Sequence, residues 1–256
     1  EEKREEAKEK GFSVYETEEA MLADPEIDVV LIATPNDCHK PIAIRAMHAG
    51  KNVISEKPVT LSSADLLEME NAAKETGKLF TVHQNRRWDD DFLIVKKLVE
   101  EQKLGHVFRI ESRVHGSRGI PGDWRKEKVH GGGMVLDWGV HLLDQILYMY
   151  GDRKLETVYA SLTNITNQEV DDGFTAILTF EGGTEVLVEV GTNNYISLPR
   201  WYVLGEDGTA VIRDWQLNGE IIRKTGKTEE TVVPVKTAAG LTKTMAPRRE
   251  DTIVKE

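Results

Sequence analysis

Asp137, His141 and Asp144 stand four and three residues apart in GGGMVLDWGVHLLDQILYMYG, a spacing that puts all three on one stripe of a helix. A carboxylate–imidazole–carboxylate stripe can move a proton, ligate a metal, or hydrogen-bond within a core. The flanking Val135, Leu136, Val140, Leu142, Leu143, Ile146, Leu147 and Met149 make the segment apolar around most of its girth, so the stripe is either paired or faces a wet cleft. His and Asp at this spacing can both ligate, but no further His, Glu or Cys spacing completes a set, and no metal is expected. A structural hydrogen-bond network stays open as an alternative. A second charged group, Lys57, ends the apolar run in VISEKPVT and is kept extended by the proline that follows it. Taken singly, Lys57 is a surface lysine and Glu56 its neutralising neighbour.

The elements that must position these groups come in two textures. Between Phe12 and His83, short apolar runs (FSVY, IDVVLIA, NVISE, LFTVH) alternate with helical patterns, which implies βαβ crossovers and a parallel sheet, with residues 27–33 a strand buried on both faces. Ser62 or Ser63 caps one helix start, and Gly50 and Gly77 follow two helix ends. In such sheets ligands bind beyond the carboxyl ends of the strands. ATPND, EKP and HQNRRW all arrive there, which lifts Thr34, Pro35, Asn36 and Lys57 above ordinary turn residues.

From Gln84 onward, helices are expected over residues 91–102 and 133–150, and nearly everything after Gly151 is strand-like. Val186, Val188 and Val190 alternate with Glu185, Leu187 and Glu189 as in an antiparallel sheet with one buried face, and FEGGT and GEDGTA are hairpin turns. The loop IPGDWRKEKVHGGG sets Trp124 beside Arg125. A Trp face with nearby charge suits a sugar ring, and a packing role is the alternative. Cys38, His106 and His115 have no recognisable partner.

The net charge of −11 argues against a nucleic-acid partner, and no apolar run approaches the roughly 18 residues of a membrane span. A single cysteine excludes an internal disulfide and points to a reducing compartment, so a cytoplasmic location is expected. The chain opens EEKREEAKEKG with no initiator methionine and mostly like-charged i,i+4 pairs, a helix that needs a body to lie on; an upstream segment is expected.

ATPNDCH, EKP, QNRRW, DWR and GGGMVLDWGVHLLD, in this order and at these separations, resemble the Gfo/Idh/MocA family, the glucose–fructose oxidoreductase and inositol dehydrogenase type. The resemblance covers essentially the whole chain. It implies an α/β Rossmann-type domain over residues 1–83, incomplete because the first βαβ unit with its glycine turn is missing. An α+β domain with a large open, mainly antiparallel sheet would follow over residues 84–256 for substrate binding and oligomerisation. NAD or NADP is the implied cofactor, a sugar, inositol or related polyol the implied substrate, and a homodimer or homotetramer through the sheet the implied assembly. Lys57, Asp137 and His141 take the catalytic positions: His141 accepts the hydroxyl proton, while Asp137 binds substrate or orients the imidazole. Thr34, Pro35, Asn36, Glu56, Lys57, Asn85 and Arg86 are implied for cofactor, and Lys57, Trp124, Arg125, Asp137 and His141 for substrate. A carboxylate beside His141 is expected to raise its pKa above the unperturbed value. Two rival functions stand beside the enzyme. One is a non-catalytic sugar or dinucleotide sensor of the same fold; the other, a metal-dependent lyase or hydrolase, lacks ligands.

Overall fold

A computed structural model describes the backbone of residues 2–237 and 240–255, and the side chains of residues 2–225 and 255. The N-terminal part contains helices α1 (Glu2–Glu9), α2 (Glu18–Ala23), α3 (His39–His48) and α4 (Ser63–Thr76) and strands β1 (Val29–Ile32), β2 (Asn52–Ser55) and β3 (Phe80–Val82). The strands form a parallel sheet in the order β1-β2-β3. Ser62 accepts the Asp65 amide at 3.1 Å to start α4, and Gly77, at φ +66°, ends it. Val30, Ile32 and Val53 pack on Ala43, Ala46 and Met47 of α3 and on Met69 and Ala72 of α4.

Three expectations are corrected here. The β1 strand is buried on one face only: Val29 and Leu31 are 47% and 59% exposed, because α3 and α4 lie on the same side of the sheet as Val30 and Ile32. Residues 12–15 form no strand, and Phe12 is exposed. α1 buries no residue and is held instead by i,i+3 and i,i+4 pairs such as Lys3–Glu6 and Lys10–Glu6 and by Arg4 bonding the Glu16 carbonyl.

The second part contains α5 (Asp90–Glu100), β4 (Val107–His115), α6 (Val140–Met149), β5 (Leu155–Thr163), β6 (Gly173–Phe180), β7 (Thr184–Gly191), β8 (Trp201–Gly205), β9 (Gly208–Ile212), β10 (Gly219–Thr237) and β11 (Gly240–Lys255). They build an eight-stranded sheet in the order β11-β10-β9-β8-β4-β7-β6-β5. Only the β4–β7 pair is parallel. The GG and ED turns close hairpins β6–β7 and β8–β9 as expected. Val186, Val188 and Val190 are buried and pack with Phe92, Leu142 and Ile146 from the helices covering that face. The expected continuous helix over residues 133–150 is not continuous. Residues Val135–Gly139 form one wide π turn, in which the Val140 amide bonds the Val135 carbonyl five residues back, and α6 follows it.

Candidate active site

The carboxyl ends of β1, β2 and β3 bring their polar segments to one edge of the small sheet. A cleft of about 710 Å³ lies there, walled by Thr34, Pro35, Asn36, Glu56 and Lys57 on one side and by Trp124, Arg125, the three glycines and Asp137 on the other. The Asn36 side chain is buried and donates to the Gly131 carbonyl at 2.8 Å, which draws the glycine run against β1. A Cβ on Gly132 would fall 2.2 Å from the Arg125 carbonyl oxygen, so only glycine allows the loop to approach this closely.

Lys57 reaches across the cleft. Its Nζ donates to Asp137 Oδ1 at 2.9 Å and to the Asp137 carbonyl at 2.8 Å, both side chains being 16% exposed. Glu56 steadies its base, accepting the Lys57 amide at 3.3 Å and pairing through its other oxygen with His83 Nδ1 at 2.8 Å. The Lys57–Pro58 bond is cis. Arg125, laid over the Trp124 ring at 4.6 Å, gives Asp137 a second cation, Nε to Oδ1 at 3.3 Å. Burial disfavours the charge on Asp137, but Lys57 and Arg125 outweigh it and hold the carboxyl below its ordinary pKa.

His141 lies one turn beyond Asp137, 5% exposed, with the Trp138 ring edge-on at 5.9 Å. Its pKa is lowered to about 3, not raised as the neighbouring carboxylate suggested. Burial is the larger cause, the charges of Lys57 and Arg86 add to it, and Asp137 opposes them without success because its own charge is spent on two cations. Nδ1 of His141 has no hydrogen-bond partner. Asp137 and His141 are therefore brought together without a bond from this nitrogen to the carboxylate.

Asp144 belongs elsewhere. It forms a two-point pair with Arg87, at 2.7 and 2.6 Å, and Gln145 donates to the Arg86 carbonyl at 2.6 Å. Together they clamp the 3₁₀ turn Asn85–Trp88 onto α6. Arg86 then faces a second cleft of about 770 Å³, with Arg118, Trp138 and Trp215 around it. Asp137 lines both clefts. Arg86, implied for the cofactor, is thus on the far cleft; Trp124 and Arg125, implied for substrate, are on the near one; Asn85 lines neither. Trp138, Trp215 and Arg118 escaped sequence reasoning. For Arg118 the available signal was the Gly-Ser-Arg-Gly turn directly after a strand. Among the described residues no His, Cys, Asp and Glu cluster could hold a metal, and no helix is long and apolar enough to cross a membrane.

A histidine kept neutral when folded leaves a stability signature. Below about pH 6.5 the unfolded chain binds a proton at His141 that the folded chain refuses, so stability falls as pH falls toward 3. The expected contribution is roughly 1.4 kcal/mol per pH unit in that window. Urea unfolding of the protein and of His141→Asn between pH 4.5 and 7 reads it, since the variant's curve should be shallower by that amount. Equal slopes would mean the imidazole is not held neutral.

Residues 1–84 match the family described as "Oxidoreductase family, NAD-binding Rossmann fold", and residues 92–211 match "GFO/IDH/MocA C-terminal domain". Among solved structures, an NAD-binding protein from Listeria innocua is 55% identical with a TM-score of 0.90, over 99% of this chain and 73% of that one. Among curated relatives, the scyllo-inositol 2-dehydrogenase (NADP(+)) of Bacillus subtilis is 31% identical over 77% of this chain and 55% of its own length. The myo-inositol 2-dehydrogenase of Thermotoga maritima is 30% identical over 66% of this chain and 51% of its own. The chain spans about half the length of these curated relatives.

Proposed function

The chain belongs to the Gfo/Idh/MocA family of NAD-binding oxidoreductases, and from that premise we propose that the complete protein oxidises a secondary alcohol of a sugar, inositol or related polyol with NAD or NADP. One observation carries this reading: Lys57 Nζ meets Asp137 at the seam between two clefts, 2.9 Å from the carboxylate, with a neutral histidine one turn behind. The near cleft suits a nicotinamide, since Gly131–Gly133 and Thr34–Asn36 both line it and the glycine run adds no side chain to its wall. When bound, the cofactor supplies the hydride acceptor. The chain's own residues do the rest. Lys57, drawn partly off Asp137 by an incoming hydroxyl, donates to the oxygen as negative charge develops there. His141, uncharged at neutral pH, accepts the hydroxyl proton. Asp137 stays ionised and holds Lys57 and Arg125 at fixed positions.

Two further parts of the proposal are a division of the chain at residues 83/84 and a homodimer or homotetramer formed through the large sheet. The latter is supported by β5, whose Val158, Tyr159 and Leu162 are more than half exposed.

The test is Lys57→Met in the complete protein. It keeps much of the side-chain length, so dinucleotide affinity should change little, while kcat on an accepted polyol falls about 10²–10³-fold from loss of one charged donor. Wild-type turnover that survives the substitution removes Lys57 from the mechanism. Dinucleotide binding with no turnover of any polyol favours the sensor.

A further inference from the structure

The far cleft is more basic than a neutral polyol needs. Its charged lining includes Arg86, Arg118 and Asp137, and the acid is already engaged by Lys57 and Arg125. Arg86 spends one N–H on Asp89 at 2.8 Å while its guanidinium stacks 4.1 Å from the Trp138 ring, so its orientation is fixed by an aromatic face. Arg118 is exposed and makes no hydrogen bond or ion pair to any described residue. It is nonetheless set on a firm base. Gly116 donates to the Gly191 carbonyl at 2.8 Å, Asn194 donates to the Gly116 carbonyl at 2.8 Å, and Gly119, at φ +71°, donates to the Thr192 carbonyl at 3.0 Å. A turn tied to the end of β7 at both sides presents a free guanidinium from a constant position. The whole chain carries −11, a field that repels anions, so two arginines converging on one cleft run against the general surface.

We propose that Arg118 and Arg86 bind an anionic substituent of the substrate, the carboxylate of a sugar acid or the phosphate of a sugar phosphate, while the reacting hydroxyl lies at Lys57. This rests on the polyol oxidoreductase reading and deepens it. The planar guanidinium matches either anion with paired N–H donors. A substrate anion beside Arg86 also offsets one of the positive charges that weaken His141 as a base, so the correct substrate strengthens its own proton acceptor.

Glucose, glucuronate and glucose 6-phosphate form a matched set for the test. Binding to the complete protein with reduced cofactor is measured calorimetrically, and NAD(P)H formation is measured separately, for wild type and Arg118→Gln. One charge-assisted contact predicts that at least one anion binds about 10–100-fold more tightly than glucose, with a matching kcat/KM ratio that falls toward one in Arg118→Gln. An advantage for glucuronate assigns carboxylate; an advantage for glucose 6-phosphate assigns phosphate. The advantage should shrink with added salt. No anion bound more tightly than glucose, or a ratio indifferent to Arg118→Gln, overturns the proposal. Tight anion binding without NAD(P)H formation upholds the anion cleft and counts against the redox reading, whereas equal turnover of all three does the reverse.

Discussion

His141→Ala should lower kcat for alcohol oxidation by about 10²–10⁴-fold, the contribution of one positioned general base. The pH dependence tells more than the magnitude. A base must be neutral to act, and with a pKa of about 3 His141 is neutral at all but strongly acid pH. The acid limb of kcat/KM from this group therefore lies below about pH 4, and the profile stays flat through 6.5. Asp137→Asn should move the limb further down, because Asp137 is the group that favours the imidazolium. If wild type instead showed a limb near or above pH 6.5 that vanishes in His141→Ala, the field of Lys57 and Arg86 would not be acting on the imidazole as described. Full turnover in His141→Ala would place the base elsewhere.

Asp91→Ala should reduce unfolding stability by about 3–5 kcal/mol, the usual loss when one partner of a buried ion pair is removed. Asp91 and Arg200 are 3% and 5% exposed and meet at 2.7 Å, and the same carboxylate oxygen accepts the Trp201 indole N–H at 3.0 Å. Without the carboxylate, Arg200 keeps its charge in a site where Nε already has no partner. Asp91→Asn keeps an acceptor and should lose less, and a double-mutant cycle with Arg200→Met measures the coupling. The damage should reach the far cleft. The Arg200 guanidinium lies 3.7 Å from the Trp215 ring, and Trp215 packs at a tilt, 5.7 Å from Trp138, over which Arg86 lies. Substrate KM should therefore rise in Asp91→Ala even where the protein is fully folded. A loss of unfolding free energy below about 1 kcal/mol by urea titration would mean water replaces the carboxylate.

The sequence was most legible where local chemistry and position agree. Ser62, Gly77 and the two hairpin turns acted where their side chains, or lack of them, require. Lys57 and Asp137 were legible as a pair only through the order of motifs, since 80 residues separate them. β4 was missed because Arg109, Glu111 and Arg113 give it the look of a solvated segment. Those charges pair along and across strands, with Glu185 and Glu189 of β7, while Ile110, Ser112 and Val114 face the core. The low pKa of His141 was unreadable for a different reason. A carboxylate four residues away is visible in sequence, but the two cations that occupy it and the burial around the ring come from distant segments.

The wide turn at Val135–Gly139 makes the site depend on residue count as well as on residue type. It holds one residue more than an α-helical turn would between the same two bonds. Dropping Trp138 or Gly139 would let the segment relax to regular pitch, rotating everything upstream by about 100° around the axis relative to α6. Asp137 would swing away from Lys57 while His141 stayed in place. A substitution here acts through one side chain, as at Asp137, or at Gly139, where an added Cβ would fall 2.8 Å from the Phe174 ring, whereas a single-codon deletion would separate the two halves of the site with every remaining residue type unchanged. When such chains are aligned, a gap between Asp137 and His141 is therefore as much a mark of lost chemistry as a changed letter at Asp137 itself.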